Sequence, residues 1–131
     1  MSDMANDDVQ VIIVSGPDEP KRVVLGLSMA ASAASTGRAV RIFFTMDGAR
    51  CLLDGDCDRT LVEGYPTVAE LLTVVEAAGG VVEYCPHCLP TGCVPRVGVS
   101  VAGRGTCGCN GMPAGIASYG VHLGDRHTVA F

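Results

Sequence analysis

The sequence predicts an α/β fold, in which helices cover a parallel β-sheet. Apolar residues make up 48% of the 131 residues and aromatic residues only 5%, and tryptophan is absent. The core must therefore be built from valine, leucine, isoleucine and alanine, which is typical of parallel sheets covered by helices. Strand-like and helix-like segments also alternate along the chain. The length is that of one domain, residues 1–131, which can bury a core without the help of disulfides.

The first strand is predicted over Val9–Ser15, where Val-Ile-Ile-Val is a short, wholly apolar run. A helix follows, with Asp18 as its expected cap and Gly37 as its stop. Glycine, alanine and serine, with Gly26 among them, are expected to leave the outer face of this helix small and almost uncharged. Such a face suits close packing against another subunit, and it equally suits an ordinary alanine-rich helix.

The next segments repeat the pattern of strand, turn and helix. The second strand is predicted over Arg38–Thr45, and Met46-Asp47-Gly48 then turns the chain into a short helix over Ala49–Leu53. The clearest helix of the chain begins at Thr67, because Thr67 and Glu70 form a capping-box pattern in front of an apolar stripe.

The third strand begins at Val81 and breaks at Cys85, where a segment containing proline, glycine and three thiols begins. In open α/β sheets the chemistry lies just beyond the carboxyl ends of the strands, so this break predicts the functional site. The remaining elements are a fourth strand over Val97–Val101, a short helix over Pro113–Tyr119 and a last strand over His127–Phe131.

The arrangement resembles the DsrE/DsrF-like family of small sulfur-relay proteins. The resemblance rests on Val11–Gly16, on Phe-Phe-Thr-Met-Asp-Gly at Phe43–Gly48, and on Cys85 at the end of the third strand. It implies a three-layer α/β/α fold of the DsrEFH-like type with a parallel five-stranded sheet, a homotrimer or homohexamer, and a persulfide carried by Cys85. The cysteine-rich loop, residues 85–112, is longer and richer in cysteine than the corresponding part of a plain family member.

The residues around Cys85 fit the chemistry of a sulfur carrier. Loop N–H groups after a strand, together with His87, are expected to lower the pKa of Cys85 and make it nucleophilic. Cys88 and Cys93 are the expected resolving thiols. We therefore expect a sulfur-relay or sulfurtransferase-like protein that takes sulfane sulfur from a donor protein and passes it to an acceptor protein.

Two other functions use the same sulfurs. Cys85-Pro86-His87-Cys88 is a C-x-x-C motif suited to dithiol redox chemistry, although the Leu-Pro-Thr-Gly that follows does not start the long helix of a thioredoxin site. A zinc ion or an iron–sulfur cluster needs about four such ligands, and the chain offers five thiols within 25 residues. The candidate metal ligands are Cys85, Cys88, Cys93, Cys107 and Cys109.

The other cysteines and histidines are expected to have no part in the chemistry. Cys51 lies in the predicted short helix beside two leucines and is expected to be buried, whereas Cys57 is expected to be exposed in an acidic loop. His122 and His127 are expected to face solvent or to bond to the backbone.

Composition limits the partners and the compartment. The net charge of −5 argues against nucleic acid and against anionic membranes, since both require a basic face. Residues 1–8 form an acidic tail without a basic region, and no apolar run reaches the roughly 20 residues of a membrane span. These features predict a cytoplasmic protein, where seven cysteines are more often reactive thiols or metal ligands than disulfides.

Overall fold

The computed structural model describes residues 8–89, 93–96, 98–102 and 114–131. Five parallel strands form one sheet in the order β4-β3-β2-β1-β5, which confirms the predicted α/β fold. The strands are β1 (Val9–Ile13), β2 (Val40–Phe44), β3 (Val81–Tyr84), β4 (Ser100–Val101) and β5 (His127–Ala130). The α-helices are α1 (Pro20–Ser35), α2 (Val68–Ala77) and α3 (Ala114–Gly120). Two 3₁₀ helices, Met46–Leu52 and Pro86–Cys88, directly follow the ends of β2 and β3.

The helices divide between the two faces of the sheet. The chain moves from β1 to β2 to β3 in one direction, so right-handed crossovers place α1 and α2 on the same face, where they pack against each other. The return from β4 to β5, on the other side of β1, carries α3 to the opposite face. Two separate groups of buried side chains result, a large core under α1 and α2 and a small one under α3.

Alternation along β2 supplies both cores. Ile42 and Phe44 belong to the large core, whereas Phe43 points to the other face and stacks on Tyr119 of α3 with ring centroids 4.5 Å apart. Residues just beyond the strand ends continue this alternation. It determines whether the side chain of each packs in the large core or in the small core.

Helix α1 differs from the sequence prediction at its start and on its faces. Its N-cap residue is Glu19, without a side-chain cap, and not Asp18, because Pro20 occupies the first turn with a suitable φ and no N–H to satisfy. Gly26 is buried and not outward-facing, since a Cβ there would lie 2.7 Å from the ring of Phe131. The outer face instead exposes Leu25 and Met29, at 54% and 48% of their surfaces.

The helix after β2 begins earlier than predicted: it is a 3₁₀ helix that starts at Met46 and not at Ala49.

Helix α2 confirms the predicted capping box. Thr67 Oγ1 accepts from the Glu70 N–H at 3.1 Å, and Glu70 Oε1 accepts from the Thr67 N–H at 2.8 Å. This reciprocal pair satisfies two of the N–H groups that a helix start otherwise leaves open.

Cys57 lies in the large core with 1% of its surface exposed, so the prediction of an exposed residue is wrong. Its N–H donates to the Leu53 carbonyl oxygen at 3.0 Å, and its own carbonyl accepts from Ala69 at 2.9 Å. These bonds hold the acidic loop against the start of α2. Cys51 is buried as predicted.

The last elements occupy roughly the predicted places. β4 is only Ser100–Val101, shorter than predicted, and Val97 and Pro113 lie outside the described residues. Among the helices that the structure describes, none has the length and apolar character needed to cross a membrane.

Candidate functional site

Cys85 directly follows β3, at the edge where the parallel strands end. Its N–H donates to the Phe44 carbonyl oxygen at 3.0 Å, which extends the pairing of β2 with β3. Its side chain is 2% exposed and belongs to the small core with Phe43, Ala102 and Tyr119. The Cys85 thiol therefore faces the space under α3 and not solvent.

Burial raises the pKa of the Cys85 thiol, and the neighbouring Cys88 side chain raises it further. Hydrogen bonds from the His87 backbone N–H and from Thr45 lower it, but they do not outweigh the loss of hydration. The sequence predicted a lowered pKa, with the His87 side chain as an assisting cation. The predicted direction of the Cys85 pKa is wrong, because the loss of hydration on burial has the largest effect. The His87 side chain is exposed, and its assisting role stays a prediction.

The turn after Cys85 brings the second thiol of the C-x-x-C motif back to the first. The Cys88 N–H donates to the Cys85 carbonyl oxygen at 3.1 Å, which closes the 3₁₀ turn Pro86–Cys88. The two side chains are neighbours, because Cys85 belongs to the small core and Cys88 packs against that core. The result is a pair of thiols with one buried and one half-buried member.

The end of β2 supplies the polar contacts of Cys88. Its Sγ accepts from the Met46 N–H at 3.0 Å and lies 3.6 Å from Thr45 Oγ1. Met46 has φ of +52°, a left-handed conformation that side chains other than glycine rarely adopt, and this conformation accompanies the N–H contact with the sulfur. The Met46 N–H is therefore a backbone donor held against the Cys88 sulfur.

One depression adjoins Cys88, and a second is lined by its neighbours Thr45 and Met46. The first, of about 430 Å³, is open and mixed in polarity, and it is lined by Met46, Asp47, Arg50, His87, Cys88 and Leu89. The other, of about 330 Å³, is apolar and runs along the α3 face of the sheet. Thr45 and Met46 line its end nearest the thiols. The outer thiol is thus open to a reaction partner from the surface.

The comparison with protein families agrees with this architecture. The model of the DsrE/DsrF-like family matches residues 8–106, which span the first four strands, the two longer helices and the cysteine pair. The chain belongs to the DsrE/DsrF-like family. Proteins of this family generally function in sulfur relay with partner proteins.

A solved structure has the same fold. The YchN protein of E. coli superimposes with a TM-score of 0.64 and 18% sequence identity, covering 95% of this chain and 98% of YchN. A comparison with curated proteins found no match.

Of the thiols that the sequence grouped together, the described part of the chain brings Cys88 against the small core that holds Cys85. Cys93 is exposed, and Cys107 and Cys109 lie outside the described residues. Within the described segments, no three His, Cys, Asp or Glu side chains form a group that could hold a metal. The zinc or iron–sulfur hypothesis therefore stays a prediction that depends on Cys107 and Cys109.

His127 is exposed as expected, and His122 Nδ1 lies 3.8 Å from Asp125.

Sequence reasoning missed the contribution of β2 to the site. Thr45 and Met46 were part of the family-like motif, but neither was assigned a role. The signal was available, because neighbouring parallel strands end at the same edge of the sheet and β2 adjoins β3. The left-handed Met46 carries no comparable signal, since methionine does not favour that conformation.

A buried polar network fixes α3 over the thiol pair. Tyr119 donates to Glu83 Oε1 at 2.6 Å, and Arg41 Nη2 donates to the same oxygen at 2.9 Å. Burial raises the pKa of Tyr119, and the bond to Glu83 raises it further, so the phenol stays protonated as a donor. The network pins the tyrosine that stacks on Phe43 and covers Cys85.

Proposed function

We propose that this protein is a sulfur carrier in which Cys88, the outer thiol of the Cys85–Cys88 pair, holds sulfane sulfur as a persulfide and passes it to an acceptor protein. The observation that carries the proposal is the environment of Cys88. Its sulfur is half-buried beside an open depression and accepts the Met46 N–H at 3.0 Å. Reactive cysteines are partly exposed and stabilised by nearby donors or cations, and Cys88 meets that description.

Exposure favours Cys88 as the thiol that meets the donor. A donor must bring its sulfane sulfur into contact with the attacking sulfur, and only 2% of Cys85 reaches solvent. Residues 85–88 place Cys88 in front of Cys85, on the rim with Arg50 and His87. The sequence assigned the persulfide to Cys85, whereas the proposal places it first on Cys88 with Cys85 behind it.

The transfer chemistry follows from this arrangement. The Cys88 thiolate attacks the donor's sulfane sulfur, the bond between that sulfur and the donor breaks, and the donor leaves with the electron pair. An acceptor thiolate then attacks the terminal sulfur and releases Cys88. The Met46 N–H and the Thr45 hydroxyl face the Cys88 sulfur when it is charged, before loading and again after transfer.

The test is brief exposure of the reduced protein to sodium tetrasulfide, followed at once by an alkylating agent that caps thiols and persulfides. Intact mass and peptide mapping should place one extra sulfur on Cys88 in the wild type. Cys88→Ser should take up none there, and Cys93→Ser, which removes an exposed thiol, should load like the wild type. If Cys88→Ser loads fully and Cys85→Ser does not, the carrier is Cys85 and the assignment to Cys88 is wrong.

The proposal includes a homotrimer or homohexamer. Leu25 and Met29 expose about half of their surfaces on α1, and Val74 on α2 is 42% exposed, so this side of the protein offers apolar area to a neighbour. Light scattering at dilute concentration should give a mass three or six times that of the chain. Leu25→Lys should lower that mass, and a wild-type monomer with intact helix content would contradict the assembly.

A further inference from the structure

The position of Cys85 behind Cys88 has no use in simple sulfur carriage. One thiol is enough to carry a persulfide, and the acceptor attacks the terminal sulfur from outside. Yet the structure keeps Cys85 as a second reduced thiol in the small core against which Cys88 packs, and Phe43, Ala102 and Tyr119 bury it there. A thiol in that position is protected from outside partners and has Cys88 as its neighbour.

We propose that Cys85 attacks the persulfide on Cys88, so that the pair reduces sulfane sulfur to hydrosulfide and is itself left as a Cys85–Cys88 disulfide. This inference rests on the proposed function, because it begins from sulfur already loaded on Cys88. It adds an activity, the release of sulfide, that competes with delivery of sulfur to an acceptor protein. An external dithiol returns the pair to the reduced state.

The local geometry supports the step. Cys88 N–H donates to the Cys85 carbonyl at 3.1 Å, so the turn that closes the C-x-x-C loop already exists before any disulfide forms. Cys85 belongs to the small core, Cys88 packs against it, and Thr45 Oγ1 lies 3.6 Å from Cys88 Sγ. Formation of the bond therefore needs side-chain rotation within one turn and no rearrangement of β3, whose pairing with β2 continues through Cys85.

The atoms and electrons of the step balance. The Cys85 sulfur attacks Cys88 Sγ, the inner sulfur of the persulfide, and a new S–S bond forms between the two cysteines. The bond from Cys88 Sγ to the terminal sulfur breaks, and its electron pair leaves with that sulfur. The proton of the Cys85 thiol goes to the terminal sulfur of the ionised persulfide, giving hydrosulfide. The two cysteines are oxidised by two electrons, and the sulfane sulfur is reduced by two.

The surroundings of Cys85 decide when it reacts. Burial keeps Cys85 protonated while Cys88 is unloaded, so the inner thiol does not compete with Cys88 for the donor. A persulfide on Cys88 places an electrophilic sulfur beside Cys85 and an ionised terminal sulfur that accepts its proton. An acceptor protein that arrives first takes the sulfur, and sulfide is released only when none arrives.

The test compares wild type, Cys85→Ser and Cys85→Ala after loading with sodium tetrasulfide, rapid desalting and a delay without alkylating agent. The wild type should lose two hydrogen atoms in intact mass, show a Cys85–Cys88 disulfide by peptide mapping, and release about one sulfide per chain, set by the stoichiometry of the exchange. Both Cys85 variants should keep the added sulfur and release sulfide only when dithiothreitol is added. Cys93→Ser tests the resolving role that the sequence predicted for Cys93: disulfide formation and sulfide release equal to those of the wild type are expected when Cys85 is the resolving thiol, and their loss would overturn the inference.

The outcomes separate the two proposals. A wild type that keeps its extra sulfur as long as the Cys85 variants do would overturn this inference and leave the sulfur carrier intact. A disulfide that joins Cys88 to Cys93, Cys107 or Cys109 would overturn it as well. If neither the wild type nor the Cys85 variants gain sulfur or form a disulfide, while Cys88 still alkylates, the proposed function itself fails. Circular dichroism of each variant confirms that the comparison is made between folded proteins.

Discussion

Cys51 and Cys57 are buried thiols of the large core, and we expect their ionisation to make the protein unfold more easily in alkali. Burial raises the pKa of Cys51 from 9.0 to about 12 and that of Cys57 from 9.0 to about 11. The unfolded chain releases both protons near pH 9.0, whereas the folded protein keeps them. The free energy of unfolding is therefore unaffected by these groups below that pH and falls above it.

The size of the effect follows from the two shifts. Between the unfolded and folded pKa values, each thiol lowers the free energy of unfolding by about 1.4 kcal/mol per pH unit. One unit above the unfolded value, Cys51 and Cys57 together remove about 3 kcal/mol. That is a large part of the roughly 5–15 kcal/mol that stabilises a typical domain.

Urea unfolding at about pH 8 and about pH 10, with reductant present, measures the loss. The double variant Cys51→Ala/Cys57→Ala should be less stable at the lower pH, because each truncation leaves a small cavity costing about 1 kcal/mol. It should nevertheless lose about 3 kcal/mol less than the wild type between the two pH values. Tyr119, whose raised pKa acts in the same direction, is present in both proteins and cancels. Cys93→Ala, which removes an exposed thiol, should show the full wild-type loss, and an equal loss in the double variant would refute the reasoning.

Substitutions at three further positions test the local interactions of the fold by urea unfolding. Gly48→Ala should cost about 1–3 kcal/mol, because the new Cβ would overlap the Ile13 carbonyl oxygen and lie 2.7 Å from its carbonyl carbon; unchanged stability would contradict this close approach. Thr67→Ala should cost about 1 kcal/mol by removing the cap of α2, whereas Thr67→Ser should keep most of it, so equal losses would show that the cap is not the cause. Glu83→Gln should cost roughly 1–2 kcal/mol, because the phenol of Tyr119 loses its charged acceptor while the arginine partner stays partly hydrated; a near-wild-type value would mean that the network does not hold α3.

Much of the fold could be predicted because its signals are local. The apolar run at Val11–Val14, the capping box at Thr67 and the strand that breaks at Cys85 all depend on residues a few positions apart. The start of α1 was missed by the same local reasoning, because Asp18 suits a cap by residue type, whereas the helix begins at Pro20, two residues later. The inward position of Gly26 was also missed, since it packs on Ile13 and on Phe131 from distant parts of the chain.

The sequence by itself determined that a cysteine pair stands at the end of the third strand of a parallel sheet, since strand patterns and C-x-x-C spacing are properties of neighbouring residues. Only the tertiary structure decided that Cys85 is the buried thiol and Cys88 the accessible one. The α3 helix, from a distant part of the chain, covers the first, and the end of β2 supplies the N–H that faces the second. The same holds for Cys57, which an acidic stretch surrounds in sequence but the large core surrounds in space. The physical reason is that the burial and the pKa of a side chain depend on every group near it. A sheet that joins distant strands determines which groups those are.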